Sequence, residues 1–413
     1  MEISFPKLDF LHIENLQNLV GIYSGNCIMA FPSLKQLTIL NCPKLKEFMV
    51  NSMSTDIATD IKPLFNEQIK FTRLEFLSMS LNCQQIWHNR APEMPSFVQK
   101  LKELTVDGCD NLRYLLTCSM IKSFVHLESL TIQNCKMMEG VIVADRLAEE
   151  ERSNKILFPN LQALVLEGLS KLTRFSPENC IEFPNLTRLE IGKCPMLKTF
   201  TSSPVIGDTA VSSEKAENTN APPFFNEKVA FPQVEYLMIY WMESLNKIWA
   251  DQLDGDSFCK LNTIGIGWCE MLVSIFPFSM LERLQRLDDL CILECDSLEE
   301  IVEAPSASHS QALVDTQPTL VETDTEFVFS KLTKLALGGL PKLKGFCHRM
   351  HIKCPSLQLL EVSEWKQVQI FASEFPNFQR INGDDQLEIQ IQCPLFSVSK
   401  VRSLKILHVG MHY

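Results

Sequence analysis

The stretch Phe183-Pro-Asn-Leu186-Thr-Arg-Leu189-Glu-Ile191-Gly-Lys-Cys194-Pro-Met-Leu197 decides the fold. Leu189 and Ile191 alternate with polar neighbours at the period of two that a short strand shows when one face is buried. Cys194 stands where the chain leaves that strand, in a tight turn that needs a small, buried side chain able to bond to backbone. The pattern returns as Phe31-Pro-Ser-Leu34-Lys-Gln-Leu37-Thr-Ile39-Leu-Asn-Cys42-Pro-Lys-Leu45. It returns again as Phe258-Cys-Lys-Leu261-Asn-Thr-Ile264-Gly-Ile266-Gly-Trp-Cys269-Glu-Met-Leu272.

The shared template is F-x-x-L-x-x-L-x-L-x-x-C-x-x-L. Its first leucine position falls at Leu8, Leu34, Leu74, Leu101, Leu127, Leu161, Leu186, Val234, Leu261, Leu287, Leu332, Leu357 and Leu404. The intervals are 26, 40, 27, 26, 34, 25, 48, 27, 26, 45, 25 and 47 residues, so the base repeat is about 26. That length lies in the range of leucine-rich repeats. One strand per repeat, stacked in parallel, lets each inward leucine share its burial with both neighbours. The expected fold is therefore α/β: a leucine-rich-repeat solenoid, a curved horseshoe. Its parallel sheet lies on the concave face, with short helices and loops on the convex face. Residues 1–413 form one array of about 13 repeats, truncated at both ends. Leu8, Leu11 and Ile13 at one end and Leu404, Leu407 and Val409 at the other have no obvious polar cap. The isolated chain is expected to be poorly soluble or to associate through them.

The long intervals hold insertions near 49–70, 142–157, 201–228, 302–327 and 371–397, charged or rich in Ser, Thr, Pro and Ala, which read as extruded loops. Ser279-Met-Leu-Glu-Arg-Leu-Gln-Arg-Leu287 has the look of a short convex-side helix.

Bulk composition narrows the function. With 46% apolar residues, the 413-residue chain can bury a large core. Its 38 basic and 50 acidic residues give a net charge of −12, against the basic excess by which duplex nucleic-acid binders neutralise phosphates. The 15 cysteines are odd in number in a chain far longer than disulfide-built domains, and Met1-Glu-Ile-Ser-Phe-Pro does not open like a secretion signal. No run of about 18 apolar residues suggests a membrane span. A reduced, cytoplasmic setting is expected. Cys42, Cys109, Cys135, Cys194, Cys269 and Cys295 occupy the template turn and read as structural. Cys291 should point outward and Cys295 inward.

Motifs for chemistry are lacking: no GxxxxGK[ST], GxGxxG or GxSxG occurs, and no cofactor is implied. His348 and His351 with Cys347 and Cys354 could be imagined as zinc ligands, but their irregular spacing fits a polar loop better. The chain reads as a non-enzyme. Recognition would use the outward strand positions two, four and six after the first leucine. Repeats seven to nine carry Arg188, Glu190, Tyr236, Met238 and Tyr240 there, with Trp241 and Trp268 at the turn. Elsewhere these columns hold small groups such as Thr38, Ser78, Thr105, Thr131 and Gly265. Exposed aromatics and Arg are what interface anchors look like. The competing reading has both tryptophans folded back over core.

Three repeat types in a row carry a resemblance. Phe231-Pro-Gln-Val-Glu-Tyr-Leu-Met-Ile-Tyr runs on to Leu245-Asn-Lys-Ile-Trp249. Phe258 to Cys269 continues as Glu-Met-Leu-Val-Ser-Ile-Phe-Pro277. Leu287-Asp-Asp-Leu-Cys-Ile-Leu-Glu-Cys295 continues as Asp-Ser-Leu-Glu-Glu-Ile-Val302. Gln85-Ile-Trp87 and Cys135-Lys-Met-Met-Glu-Gly-Val-Ile142 are looser copies. This triplet resembles the leucine-rich-repeat region of plant coiled-coil nucleotide-binding (NBS-LRR) disease-resistance proteins. The resemblance implies a module of an intracellular innate-immunity receptor. Its protein partner would be a pathogen effector or a modified host protein, and it would help hold the receptor inactive. The nucleotide-binding domain with its phosphate loop, a further partner in such receptors, is not in this chain. A substrate-recruiting subunit of a ubiquitin ligase, or a non-enzymatic scaffold or inhibitor, is the alternative.

Overall fold

A computed structural model of the protein describes residues 2–50, 62–87, 96–144, 156–177, 181–201, 222–303, 326–347, 351–364, 372–373, 396–397 and 405–406. The chain separates into two compact units. The first comprises Met1–Thr219, Phe225–Val234 and Asp254–Ser257; the second comprises Asn220–Phe224, Glu235–Leu253 and Phe258–Tyr413.

Each template copy opens as a strand. The first unit holds β1 (Phe10–Glu14), β2 (Gln36–Leu40), β3 (Phe76–Met79), β4 (Glu103–Asp107), β5 (Ser129–Gln133), β6 (Ala163–Glu167) and β7 (Arg188–Gly192). Each runs parallel to the next. The second unit holds β8 (Tyr236–Tyr240), β9 (Thr263–Gly267), β10 (Asp289–Leu293), β11 (Lys334–Gly338), β12 (Leu359–Ser363) and β13 (Lys405–Ile406). They form a second parallel ladder. The leucine-rich-repeat solenoid fold is the observed one. Leu130 faces Leu104 and Leu164, and Ile132 faces Val106 and Leu166, so template positions meet template positions. The last strand departs from the expected frame. Ile406 lies opposite Leu360, where the template had placed Leu407. Leu404, Ile406 and Leu407 are competing apolar positions, and a two-residue strand has too little alternation to set register by pattern.

The inward leucines are completely covered: Leu186, Leu189, Ile191 and Leu197 are each 0% exposed. Burying one such side chain contributes about 1.5–3 kcal/mol. The template phenylalanines add a spine of stacked rings. In the first unit Phe158 stacks on Phe183 at 5.2 Å and Phe183 on Phe231 at 5.1 Å. A parallel stack joins Phe175 to Phe200 at 4.7 Å. Trp87 and Trp249, the tryptophans of the Q-I-W and K-I-W motifs, are core residues, and the Trp87 indole N–H donates to the Leu115 carbonyl at 2.9 Å.

Leu8, Leu11 and Ile13 of the first repeat are half-buried. The flanks of two expected insertions are packed instead of extruded. Leu64, Phe65, Phe224 and Phe225 are buried, and the Phe65 and Phe224 amides bond to the Ile86 and Lys247 carbonyls. Residues 51–61 and 202–221 of those insertions lie outside the described residues, as does His348. The expected convex helix exists as a 3-10 helix, Phe278–Leu284, with Met280, Leu281 and Leu284 buried.

Candidate functional site

Geometry at the strand exits explains why the surface differs between repeats. The residue seven places after the first leucine adopts a left-handed backbone in every described repeat except the third, where Leu81 stands, and Lys193 and Glu364 take it as well as the residues named next. Asn41, Gly108, Asn134 and Gly168 do so in the first unit, and Trp241, Trp268, Glu294 and Gly339 in the second. Its amide bonds to the last strand carbonyl of the following repeat: Asn134 to Glu167 at 2.8 Å, Trp241 to Gly267 at 3.0 Å, Trp268 to Leu293 at 2.9 Å. The template cysteine then donates its thiol to the last carbonyl of its own strand. Cys194 reaches the Gly192 carbonyl at 3.2 Å, Cys269 the Gly267 carbonyl at 3.3 Å and Cys295 the Leu293 carbonyl at 3.4 Å. One carbonyl thus receives the thiol of its own repeat and the left-handed amide of the repeat before it. That double use is why the turn is so regular. All six template cysteines are 0% exposed. Burial pushes the Cys194 thiol up to about 12, and burial with Asp289 nearby raises half-buried Cys291 to about 11.

Left-handed backbone costs an L-residue about 1–2 kcal/mol, and Gly or Asn bears it most easily. Trp241 and Trp268 take it at φ 55° and 52°. Consecutive repeats hold the two indoles one strand spacing apart, and they stack with centroids 5.3 Å apart and planes 3° from parallel. Such a stack contributes about 0.5–1.5 kcal/mol, less than two left-handed tryptophans cost. Trp241 is 46% exposed, and Trp268 is half-buried beneath it. The tryptophans therefore do not fold back over core.

The other expected contacts divide. Tyr236, Met238 and Tyr240 all lie on β8 with their side chains half-buried. Met238 faces Gly265 of β9, and its thioether fills the space a Cβ at Gly265 would need. The thioether levels the sheet surface there and leaves Met238 half-buried. Arg188 and Glu190 sit on β7 of the first unit and pair with each other, Arg188 exposed and the Glu190 side chain largely buried. The two were expected together among the partner-binding residues, and the guanidinium of Arg188 is held by its neighbour's carboxylate. In the second unit, Tyr240, Trp241 and Trp268 remain as an aromatic group at one strand exit. The left-handed column itself was legible, since Asn or Gly precedes the template turn in many copies, but it was not read.

A family model of plant disease resistance protein RPS2-like leucine-rich repeats matches residues 70–208 and 233–377, more than half of the chain. The chain belongs to that family. A probable disease resistance protein of Arabidopsis thaliana is 33% identical over 120 residues, which cover 28% of this chain and 12% of that relative. The matched segment is thus a small share of the relative's length. As a member of the family, the chain carries a leucine-rich-repeat interaction module of the resistance-protein type. No helix among the described residues is long and apolar enough to cross a membrane.

Proposed function

We propose that the chain is the recognition module of a plant immune receptor and that the Trp241–Trp268 platform, with Tyr240 beside it, is where a protein partner is read. The partner would be a pathogen effector or a modified host protein, and contact of the same module with the nucleotide-binding domain would contribute to autoinhibition. The module itself carries no catalytic step in this reading, and it works in the intracellular compartment where such receptors act. One observation carries the proposal: two stacked tryptophans, one of them half exposed, are held side by side in a left-handed backbone conformation that Asn and Gly bear most easily and that other repeats fill with Asn, Gly, Lys or Glu. Unfavourable backbone retained with exposed aromatic surface points to selection for contact over stability. Tryptophan and tyrosine are also the side chains that most often dominate binding energy at protein interfaces.

The test places Trp241→Ala and Trp268→Ala together in a receptor that carries this chain beneath a nucleotide-binding domain, expressed in leaf tissue. The expected result is a changed cell-death response at unchanged protein level: loss of response to infection if sensing fails, or constitutive death if autoinhibition fails. A double variant that accumulates and responds as the parent does would contradict the proposal.

A further inference from the structure

At the opposite edge of the second unit, where its strands begin, lies an open groove of about 570 Å³. Its lining comes from five successive repeats, from Glu235 in repeat eight through Lys260, Arg286 and Lys331 to Ser356 and Gln358 in repeat twelve. Lys260, Arg286 and Lys331 occupy the same template position, one residue before the first leucine, so the repeat itself stacks three cations along the groove.

The groups already committed here are mainly acceptors and hydroxyls. Asp288 accepts the Thr333 hydroxyl at 2.6 Å. Ser356 gives its hydroxyl to the Ser330 carbonyl at 2.6 Å. The Asn262 side-chain carbonyl takes the Thr263 hydroxyl at 3.0 Å, which leaves its NH₂ as a donor. Just outside, Asp289 lies 3.7 Å from Lys334. Arg286 and Lys331 are exposed and have no carboxylate within salt-bridge distance among the described residues. Glu235 stands at the far end of the groove, in repeat eight, and would repel an anion there. Asp288 keeps its charge beneath the Thr333 hydroxyl, so the lining carries three cations against the two carboxylates of Glu235 and Asp288, with exposed Arg286 and Lys331 the cations at repeats ten and eleven.

We infer that this groove binds an extended acidic segment of a polypeptide, with a carboxylate or phosphate between Arg286 and Lys331. Five strands at about 4.8 Å spacing span roughly 19 Å, the length of about six extended residues, which suits a peptide better than a compact small molecule. Arg supplies a fork that grips an oxyanion with two bonds, so a phosphorylated side chain should be held more tightly than a carboxylate. The inference does not depend on the tryptophan platform, which lies at the other end of the strands.

The experiment is fluorescence anisotropy on the full chain with labelled eight-residue peptides of alternating Ser and Glu, of alternating Ser and Gln, and of the acidic sequence with one phosphoserine. The acidic peptide should bind and the neutral one should not. The phosphopeptide should bind several-fold tighter, and raising salt should weaken both. Arg286→Gln with Lys331→Gln should weaken acidic-peptide binding about tenfold or more. The exposed surface pair Lys44→Gln with Lys171→Gln, both in the first unit, should leave it within twofold. Equal binding of the neutral peptide would overturn the inference. So would an Arg286/Lys331 double variant that binds within twofold of the parent, or a first-unit lysine pair that weakens binding as much.

Discussion

The strand-exit turns of repeats four to six and those of repeats eight and nine are built on one backbone and filled in opposite ways. Gly108, Asn134 and Gly168 occupy the left-handed position in the former, Trp241 and Trp268 in the latter. Both sets donate the same amide to the next repeat's last strand carbonyl, at 2.9, 2.8, 3.0, 3.0 and 2.9 Å in chain order. The framework is therefore indifferent to the side chain, and only its conformational cost changes. Where residues suit the backbone, the turn serves folding. Lys193 and Glu364 also take this backbone while exposed; what sets Trp241 and Trp268 apart is stacked aromatic surface, which the proposed function takes as a second requirement laid over the fold.

Core substitutions should show the largest effect and no difference between the two regions. Leu130→Ala in β5 and Leu237→Ala in β8 each remove a fully buried side chain, and each should cost about 2–5 kcal/mol by leaving a cavity. Chemical denaturation of both variants checks this; a tolerant Leu237 would mean that the second unit is loosely packed and the comparison fails.

Transplanting the aromatic is the next largest. Gly168→Trp puts a Cβ at φ 67°, 2.7 Å from the Asn134 side-chain oxygen. It should destabilise by about 1–3 kcal/mol, read as a lower melting temperature. A neutral outcome would show that the turn accepts tryptophan freely and that Trp241 needs no functional explanation.

Tyr240→Ala should barely alter folding, since the ring is half-buried on the outward face. It should weaken partner binding by about 1–3 kcal/mol if Tyr240 belongs to the platform. Destabilisation as large as that of Leu237→Ala would instead make it core.

The smallest effect is chemical and tests the shared turn. Below its unfolded value near 9 the Cys194 thiol is protonated in both states; above that pH the unfolded chain releases the proton first, while the folded chain keeps it up to about 12. The stability it contributes is thus present below pH 9 and lost as pH rises toward 12. Native-state alkylation at pH 8 should spare the template cysteines and modify half-buried Cys118 and Cys259 first. Fast loss of Cys135 or Cys194 would refute the assigned register.

The leucines and the template cysteines were legible because their spacing is the fold: a period of two, then a buried turn residue, repeated every 26 residues or so. Cys291 outward and Cys295 buried followed from the same counting. What spacing did not carry was the third dimension between repeats. Nothing in the residue Met238 says that it lies over Gly265, and nothing in Arg188 says that Glu190 two residues on will hold it. Leu64 and Phe224 sat inside segments whose polar composition read as loop, although single apolar residues there complete the core. The cations Lys260, Arg286 and Lys331 share a template position, but only the open groove between repeats gives that column a meaning.

The most direct test is the melting temperature of Trp241→Asn. Asparagine relieves about 1–2 kcal/mol of left-handed strain and forfeits about 0.5–1.5 kcal/mol of indole stacking. The variant should therefore melt at or slightly above the parent. A fall as deep as that of Leu237→Ala would show that the exposed indole is structural, and the recognition platform would have to be abandoned.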